Sequence, residues 1–370
     1  MALAVIQVQR VRVPDSNHHT WLVIGSDYFP IEPIRGYLRY LENLEKSPNT
    51  IKSYAGHLKQ FWDFLESCHL DWKDVTLNHL AEFIHWLRWP KQGVLSIQSQ
   101  QASRTERTIN AILSAVHSFY EFQQRLGAVE IELFHHQFRL EQKYKPFLHH
   151  ISKEKAVQRK LLKLKEPKRF VGCLKSEEVR QVVDACNRVR DKFLVCLLYE
   201  TGLRIGEALG LRHEDIYSTG ENEIHIVPRV NNFNKARAKS AEERVVHITK
   251  ELMQLYADYL INEYPEDVDC DYVFINIWEG ECGVPMTYSA VDSLFRRLRR
   301  KTGLVVRPHL LRHTHATELV RAGWDIAYVQ RRLGHAHIQT TINTYIHLNN
   351  DDLKKAYQDY LSQRGTHALE

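Results

Sequence analysis

The sequence predicts a mainly α-helical protein with a small β-sheet, divided into two domains. Apolar residues recur every three or four positions over most of the chain, which is the spacing of one face of an α-helix. The length of 370 residues exceeds the usual size of a single domain. With 44% hydrophobic and 26% charged residues, the composition is that of an ordinary globular protein, and disordered or collagen-like classes are excluded.

The first segment, 1–30, is predicted to be a strand-like arm. Its apolar residues alternate in two runs, and Asp15-Ser16-Asn17 stands between them as a turn would. Because this start is not one continuous apolar block, it is a poor signal peptide. No stretch of the sequence approaches the roughly 20 apolar residues of a membrane-spanning helix, so no membrane association is expected.

A helical bundle is predicted over 31–140. Ser47, Thr76 and Thr105 each precede an apolar face with helical spacing, and such hydroxyl residues are frequent helix N-caps. The following segment is basic, since Arg139 to Arg169 holds eleven Lys or Arg against three acidic residues. We interpret 141–170 as a linker, whose charge suits a polyanionic partner although the whole chain carries a net charge of only +5.

The second domain, 171–348, is predicted to combine helices with a small sheet. One long helix is expected from Ser176 to Tyr199, and two strands are expected at 223–230 and 244–249. Further helices are predicted at 250–263, 289–301, 309–322, 325–333 and 338–347. A polar tail with helical spacing follows at 349–370. The six cysteines form no CxxC pair and are expected to be reduced, buried thiols of a cytoplasmic protein.

Several polar residues stand where burial does not explain them. Arg204 follows a glycine turn. Considered by itself, this arginine is explained by an ion pair with Glu207, three positions later. His309 and Arg312 share one side of a helix start, where the helix dipole adds to their suitability for an oxyanion such as phosphate. His335 follows a glycine, and Tyr345 lies ten residues beyond it.

Taken together, these residues resemble the pattern of the tyrosine recombinase, or phage integrase, family. The matching text is TGLRIGEALGLRHEDI (201–216), HLLRHTHATELVRAGWDIAYVQRRLGH (309–335) and TTINTYIHL (340–348). The segment SPNTIKSYAGHLKQFW resembles the core-binding domain of that family, and the transposase-type recombinases of mobile elements are the most similar group. The resemblance implies a SAM-like helical core-binding domain and a catalytic domain that form a C-shaped clamp on DNA.

The resemblance also implies the chemistry of site-specific recombination. Tyr345 would be the nucleophile that forms a 3′-phosphotyrosyl intermediate. Arg204 and Arg312 would hold the non-bridging oxygens of the transition state. His309 is the candidate for acid–base catalysis, and His335 would donate a hydrogen bond to the phosphate.

Two further positions complete the implied site. Glu207 matches an acidic position of the family, and we expect it to orient Arg204 or His335. The family supplies a general-acid lysine from a β-hairpin, and counting back five residues from the Arg of the second strand favours Lys239, with Lys235 left as the alternative.

The implied partners are double-stranded DNA at specific recombination sites and further copies of the chain, as a tetramer on two duplexes. The sequence does not decide whether accessory proteins take part, or whether the N-terminal arm contacts DNA or a partner subunit. The tail at 349–370 is a candidate for docking on a neighbouring protomer. The residues expected to contact DNA are Lys52, Arg104, Arg107, Lys143, Lys145, Lys235 and Arg237.

Other classes of function fit the sequence less well. His309 and His313 have the spacing of zinc ligands, but no HExxH pattern and no nearby cysteine support a metal site. The family chemistry implies neither a metal nor a nucleotide cofactor. A type IB topoisomerase would use the same tyrosine chemistry, yet the 309–348 text and the core-binding segment argue against it. A non-catalytic DNA-binding relative would have lost one of the six implied catalytic residues, and all six are present.

Overall fold

A computed structural model describes the chain in two units, Met1–Lys168 and Arg169–Glu370. The described residues are 5–12, 19–89, 102–129, 135–138, 157–160, 162–167, 172–218, 222–229, 231–238, 242–278, 280–335, 354, 357–358 and 361–362. Among them, no helix combines the length and apolar character that crossing a bilayer requires.

The first unit consists of a β-hairpin, four helices and a second strand pair. Its elements are β1 (Gln7–Arg12), β2 (His19–Ile24), α1 (Glu32–Asn43), α2 (Pro48–Ser67), α3 (Leu77–Arg88), α4 (Glu106–Arg125), β3 (His135–Phe138) and β4 (Val157–Lys160). β1 and β2 are antiparallel, with Gln7 opposite Ile24. Ile6 and Val23 are buried in the same core as the aromatic residues of the bundle, so the predicted arm is a packed part of this unit.

The helix starts of this unit follow from local sequence. The hydroxyl groups of Ser47, Thr76 and Thr105 each accept a hydrogen bond from the backbone N–H three residues later, over 3.2, 3.4 and 3.4 Å. Each bond satisfies one of the N–H groups that a helix start leaves without a partner. The predicted starts of α2, α3 and α4 are therefore confirmed.

Part of the segment interpreted as a linker has regular structure. β4 pairs antiparallel with β3, with Val157 opposite Phe138. Beyond β4, the buried amide of Asn110 binds the backbone of Leu164, donating to its carbonyl over 3.0 Å and accepting from its N–H over 2.9 Å. Leu164 also packs against the core of the bundle. The sequence analysis overlooked Leu164 because it interpreted this segment from its many Lys and Arg residues.

The second unit surrounds a three-stranded antiparallel sheet with helices. Its elements are α5 (Ser176–Asp184), α6 (Val189–Thr201), α7 (Ile205–Ala208), β5 (Ile216–Tyr217), β6 (Glu223–Ile226), β7 (Arg244–His247), α8 (Lys250–Asn262), α9 (Tyr288–Thr302), α10 (Pro308–Arg321) and α11 (Ile326–Leu333). The strand order is β5-β6-β7, with Ile224 opposite Val246. The strands predicted near 223 and 244 are thus paired, and the two-residue strand β5 was not predicted. The helix predicted at 338–347 lies outside the described residues.

The single helix predicted from Ser176 to Tyr199 is wrong. The chain forms two helices, because the carboxylate of Glu263 accepts hydrogen bonds from the backbone N–H of Val189 (3.0 Å) and of Arg190 (2.9 Å) and so caps a new helix start.

The expectation that all six cysteines are buried is also wrong. All six cysteines are free, but Cys68 and Cys282 are exposed, since they lie just after a helix end and in a surface turn.

Candidate active site

The turn between α6 and α7 brings the backbone of residues 202–204 against two other helices. Gly202 ends α6 in the left-handed conformation, with φ +64°. A Cβ atom at this position would lie 2.7 Å from Cδ2 of His315 and 2.7 Å from Cδ2 of Leu333. Only glycine fits both the conformation and the space. Arg204 follows two residues later and is partly exposed.

α10 carries two of the predicted residues, one exposed and one buried. His309 lies in the first turn and is exposed, whereas Arg312 is only 1% exposed. The guanidinium of Arg312 donates to Gly202 O over 2.7 Å and to Leu333 O over 2.9 Å. These bonds fix the buried arginine against the end of α6 and the end of α11.

The C-terminal end of α11 is also bound by Arg204. Its Nη2 donates to Gly334 O over 3.0 Å, and its Nη1 lies 3.5 Å from Leu333 O. The negative end of a helix dipole favours such cations. Arg204 and Arg312 are therefore held on adjacent carbonyls of one helix end.

His335 follows this helix end and is half-buried. Burial lowers the pKa of His335 to about 4, and the positive charges of Arg312 and Arg204 and the nearby His309 act in the same direction. The imidazole is therefore neutral near pH 7 and carries one N–H.

Glu207 has a side chain without solvent exposure and lies between two arginines. Arg204 Nη1 approaches Glu207 Oε1 at 2.9 Å, and Arg244 Nη2 donates to Oε2 over 2.7 Å. Burial acts to raise the pKa of Glu207, but the hydrogen bond and charge of Arg244 together with those of Arg204 outweigh it, so the pKa lies below its ordinary value. The carboxylate is therefore ionised, and it forms an ion pair with Arg204.

Sequence reasoning missed Arg244, Arg332 and His315. Arg332 donates from Nε to His315 Nε2 over 3.1 Å and from Nη2 to Glu200 O and His247 O, each over 3.1 Å. The sequence analysis used Arg244 only as the position from which Lys239 was counted. No local sequence pattern distinguishes Arg332. Their partners are distant in sequence, so only the fold reveals them.

The loop that leads to Lys239 is anchored on the residues just after α7 and just before α9. The buried amide of Asn234 donates to Leu209 O and to Met286 O, each over 2.9 Å, and accepts from Ala236 N over 3.0 Å. A Cβ atom at Gly206 would overlap the carbonyl oxygen of Arg237. The described part of this loop therefore lies directly against the helix that follows Arg204.

The structure brings together Arg204, Glu207, Arg312 and His335, with His309 close enough to influence His335. Lys239 and Tyr345 lie outside the described residues. Several arginines and one carboxylate thus surround the end of α11, and this excess of positive charge suits a phosphodiester.

The residues expected to contact DNA have varied surroundings. Lys52 is exposed, and its ammonium lies 5.0 Å from the ring centroid of Trp21. Arg104 donates to Leu87 O over 3.0 Å, a bond that caps the end of α3. Arg107, Lys235 and Arg237 are exposed. Lys143 and Lys145 lie outside the described residues.

Comparison with known proteins identifies both units. Residues 173–352 match the phage integrase family, and residues 34–127 match the phage integrase N-terminal SAM-like domain. The chain is 45% identical to Transposase A from transposon Tn554 of Staphylococcus aureus over 97% of this chain and 99% of that protein. It is 26% identical to the tyrosine recombinase XerC of Staphylococcus saprophyticus over 88% of this chain and 96% of that protein.

A solved structure has a similar fold. The Tn1549 transposon integrase in complex with a circular intermediate DNA matches with a TM-score of 0.61 and 18% identity, over 88% of this chain and 99% of that one. The fold and the sequence matches define a two-domain recombinase. The chain belongs to the phage integrase family, as a tyrosine-type site-specific DNA recombinase.

Proposed function

We propose that this protein cuts and rejoins DNA strands at specific sites, through a 3′-phosphotyrosyl intermediate, to integrate or excise a mobile element. The similarity to Transposase A from transposon Tn554 supports the mobile-element role. The observation that carries the chemistry is the pair of guanidinium groups of Arg204 and Arg312, fixed on adjacent carbonyls at the end of α11. Two such groups suit the non-bridging oxygens of one phosphodiester.

In the proposed cleavage step, the phenol oxygen of Tyr345 attacks phosphorus while the bond from phosphorus to the 5′-oxygen breaks. His309 accepts the phenol proton, and Lys239 donates a proton to the leaving 5′-oxygen. Arg204 and Arg312 stabilise the negative charge of the pentacoordinate transition state.

His335, neutral because of its low pKa, donates a hydrogen bond to the same phosphate. Rejoining is the reverse reaction, in which the 5′-hydroxyl of a partner strand attacks the phosphotyrosine. Because the phosphotyrosyl bond conserves the energy of the broken strand, the proposed reaction needs neither a metal ion nor a nucleotide.

Assembly is also part of the proposal. Both domains would bind DNA, and four protomers would act on two duplexes, in the cytoplasm. A groove of about 1090 Å³ lies beside β7 and α11, and the exposed rings of Trp324 and Tyr328 line it. We place the 349–370 tail of a neighbouring protomer in this groove, because exposed aromatic residues are typical of protein interfaces.

The test uses a supercoiled plasmid that carries the DNA flanking this gene in its source. The protein is incubated with it in EDTA, the reaction is quenched with detergent, and protein covalently attached to DNA is measured. Wild type is expected to give an adduct, and Tyr345→Phe is expected to bind DNA equally well without any adduct. Tyr217→Phe, which removes a hydroxyl from an exposed tyrosine, is the matched control and should retain the adduct.

The outcomes separate the alternatives. Binding without an adduct, also on pre-nicked DNA that traps the intermediate, would contradict the enzymatic proposal and favour an accessory DNA-binding protein. Relaxation of the plasmid through the adduct, without recombinant products when two sites are supplied, would favour the topoisomerase alternative.

A further inference from the structure

Three arginines that are distant from one another in sequence bind the last carbonyls of α11. Arg244 Nε donates to Arg332 O over 3.0 Å, and Arg312 Nη2 donates to Leu333 O over 2.9 Å. Arg204 Nη2 donates to Gly334 O over 3.0 Å. Arg204 and Arg312 have roles in the proposed function, whereas Arg244, on β7, has none. Three consecutive carbonyls thus accept from three guanidinium groups.

We propose that Arg244 is a positioning residue of the strand-transfer reaction. It keeps the buried Glu207 ionised and holds the end of α11 in place, so that Arg204 and His335 face the scissile phosphate together. This inference rests on the proposed function and extends it to a residue outside the phosphate-binding set.

The contacts of Arg244 show why it acts through other residues. Its side chain is 8% exposed, and all three guanidinium nitrogens bond within the protein. Nε binds Arg332 O, Nη2 lies 2.7 Å from Glu207 Oε2, and Nη1 lies 3.4 Å from Glu207 Oε1. Arg244 differs from Arg204 and Arg312 in that both of its Nη atoms are directed at one carboxylate, that of Glu207, so we assign it a positioning role.

Arg244 also lies directly against the residue that precedes His335. Gly334 has φ +64°, and a Cβ atom there would lie 2.7 Å from Nη1 of Arg244. One guanidinium therefore contacts both the partner of Arg204 and the backbone that leads into His335. Displacing it would disturb two groups of the proposed mechanism at once.

Loss of Arg244 would leave Glu207 in an environment that favours its protonated form. The charged groups that contact this carboxylate are Arg204 before α7 and Arg244 on β7. A buried carboxylate that loses one of two cationic partners becomes easier to protonate. Once protonated, Glu207 no longer forms an ion pair with Arg204.

The test measures the rate of adduct formation on a pre-nicked duplex under single-turnover conditions, between about pH 5.5 and 8.5. Arg244→Gln is expected to react about 10- to 100-fold more slowly at pH 8, as for other displaced active-site groups. Its DNA affinity should change less than about threefold, because Arg244 contacts no phosphate. The ratio of its rate to the wild-type rate should also fall as the pH decreases, because only the variant is expected to lose the ionised Glu207 in this range.

Three variants distinguish positioning from general damage to the fold. The double variant Glu207→Gln with Arg244→Gln has no carboxylate to protonate, so the additional loss at low pH should disappear. Arg244→Lys keeps the charge but cannot bind both partners, and should recover the pH profile with part of the rate. Arg229→Gln is the matched control, because Arg229 forms a similar ion pair with the buried Asp215 elsewhere in the unit.

The result that would overturn the inference is a wild-type adduct together with an unchanged rate and pH profile in Arg244→Gln. A pH profile for Arg229→Gln that matches that of Arg244→Gln would also overturn it, because the effect would then reflect stability. No adduct with wild type would contradict the proposed function, and the inference with it.

Discussion

At the scale of single residues, His315 is a buried histidine that serves as a hydrogen-bond acceptor. Its Nε2 accepts from Arg332 Nε, which requires a neutral ring with the lone pair on that nitrogen. Burial lowers the pKa of His315 to about 3, and the charges of Arg332 and Arg312 lower it in the same direction. Because Arg332 also binds the ends of α6 and β7, this imidazole helps to join α10 and α11 to the sheet.

This environment predicts a pH-dependent contribution to stability. An unfolded histidine takes up a proton near pH 6.5, whereas folded His315 does so only near pH 3. Between these values the unfolded state binds more protons, so the free energy of unfolding falls as the pH decreases. From pH 6.5 to 5.5 the loss is about 1 kcal/mol for this group, because the unfolded histidine is only half protonated at the start of this interval.

The measurement is urea unfolding of wild type and His315→Gln at pH 6.5 and 5.5. A glutamine oxygen can still accept from Arg332, so the variant should fold, but it has no proton to gain. The decrease between the two pH values should be smaller in the variant by about 1 kcal/mol. Equal decreases in both proteins would contradict the assignment of a neutral, buried imidazole.

At the scale of elements, the loop at 231–238 depends on buried amide groups rather than on regular structure. Asn234 binds two carbonyls from different elements and the N–H of Ala236. Asn232 donates to Ala236 O over 2.8 Å. In the proposed mechanism the next residues supply the general acid, Lys239, so these amides set the start of the segment that must reach the leaving oxygen.

Asn234→Ala is expected to slow adduct formation about tenfold or more, because a displaced general acid transfers its proton poorly. DNA affinity should change little. The assay is again single-turnover adduct formation, with Asn262→Ala as the control, since the amide of Asn262 makes a single bond on the exposed face of α8. A substrate whose leaving 5′-oxygen is replaced by sulfur needs less help from an acid. It should therefore recover the rate of the variant, and failure to do so would contradict a role in placing Lys239.

Elements also show which parts of the fold could be predicted from sequence. The starts of α2, α3 and α4 were predictable because a capping hydroxyl and its N–H partner lie three residues apart. The break between α5 and α6 was not, because its capping carboxylate, Glu263, lies more than 70 residues away. The same distinction applies to the site. Arg204 and Arg312 stand in recognisable motifs, whereas Arg244 becomes significant only when β7 lies beside α7 and α11.

At the scale of the whole molecule, the proposed tetramer requires a surface that is free on each protomer. The groove beside β7 and α11 offers Trp324, 46% exposed, and Tyr328, 67% exposed. Replacing both by Ser should leave binding to a single recombination site intact. It should weaken the complex that joins two duplexes by about tenfold or more, because aromatic residues contribute strongly to interfaces.

The joined complex can be measured by native gel electrophoresis or sedimentation with labelled duplexes. Trp278→Ser is the matched control, since Trp278 is 62% exposed in the same unit and stacks with Arg188 away from the groove. Unchanged pairing of duplexes by the double variant would contradict the docking of the tail at this groove.

The attachment of Arg204 and Arg312 to neighbouring carbonyls has a geometric consequence. Both guanidinium groups use the end of one helix as their common reference. A small shift of α11 therefore carries both groups in the same direction, and the separation between them is preserved. The phosphate bound during cleavage and the phosphate bound during rejoining would therefore contact two guanidinium groups at the same separation. Small movements of the protein would change the position of this pair of groups, while the separation between them would still suit the phosphate.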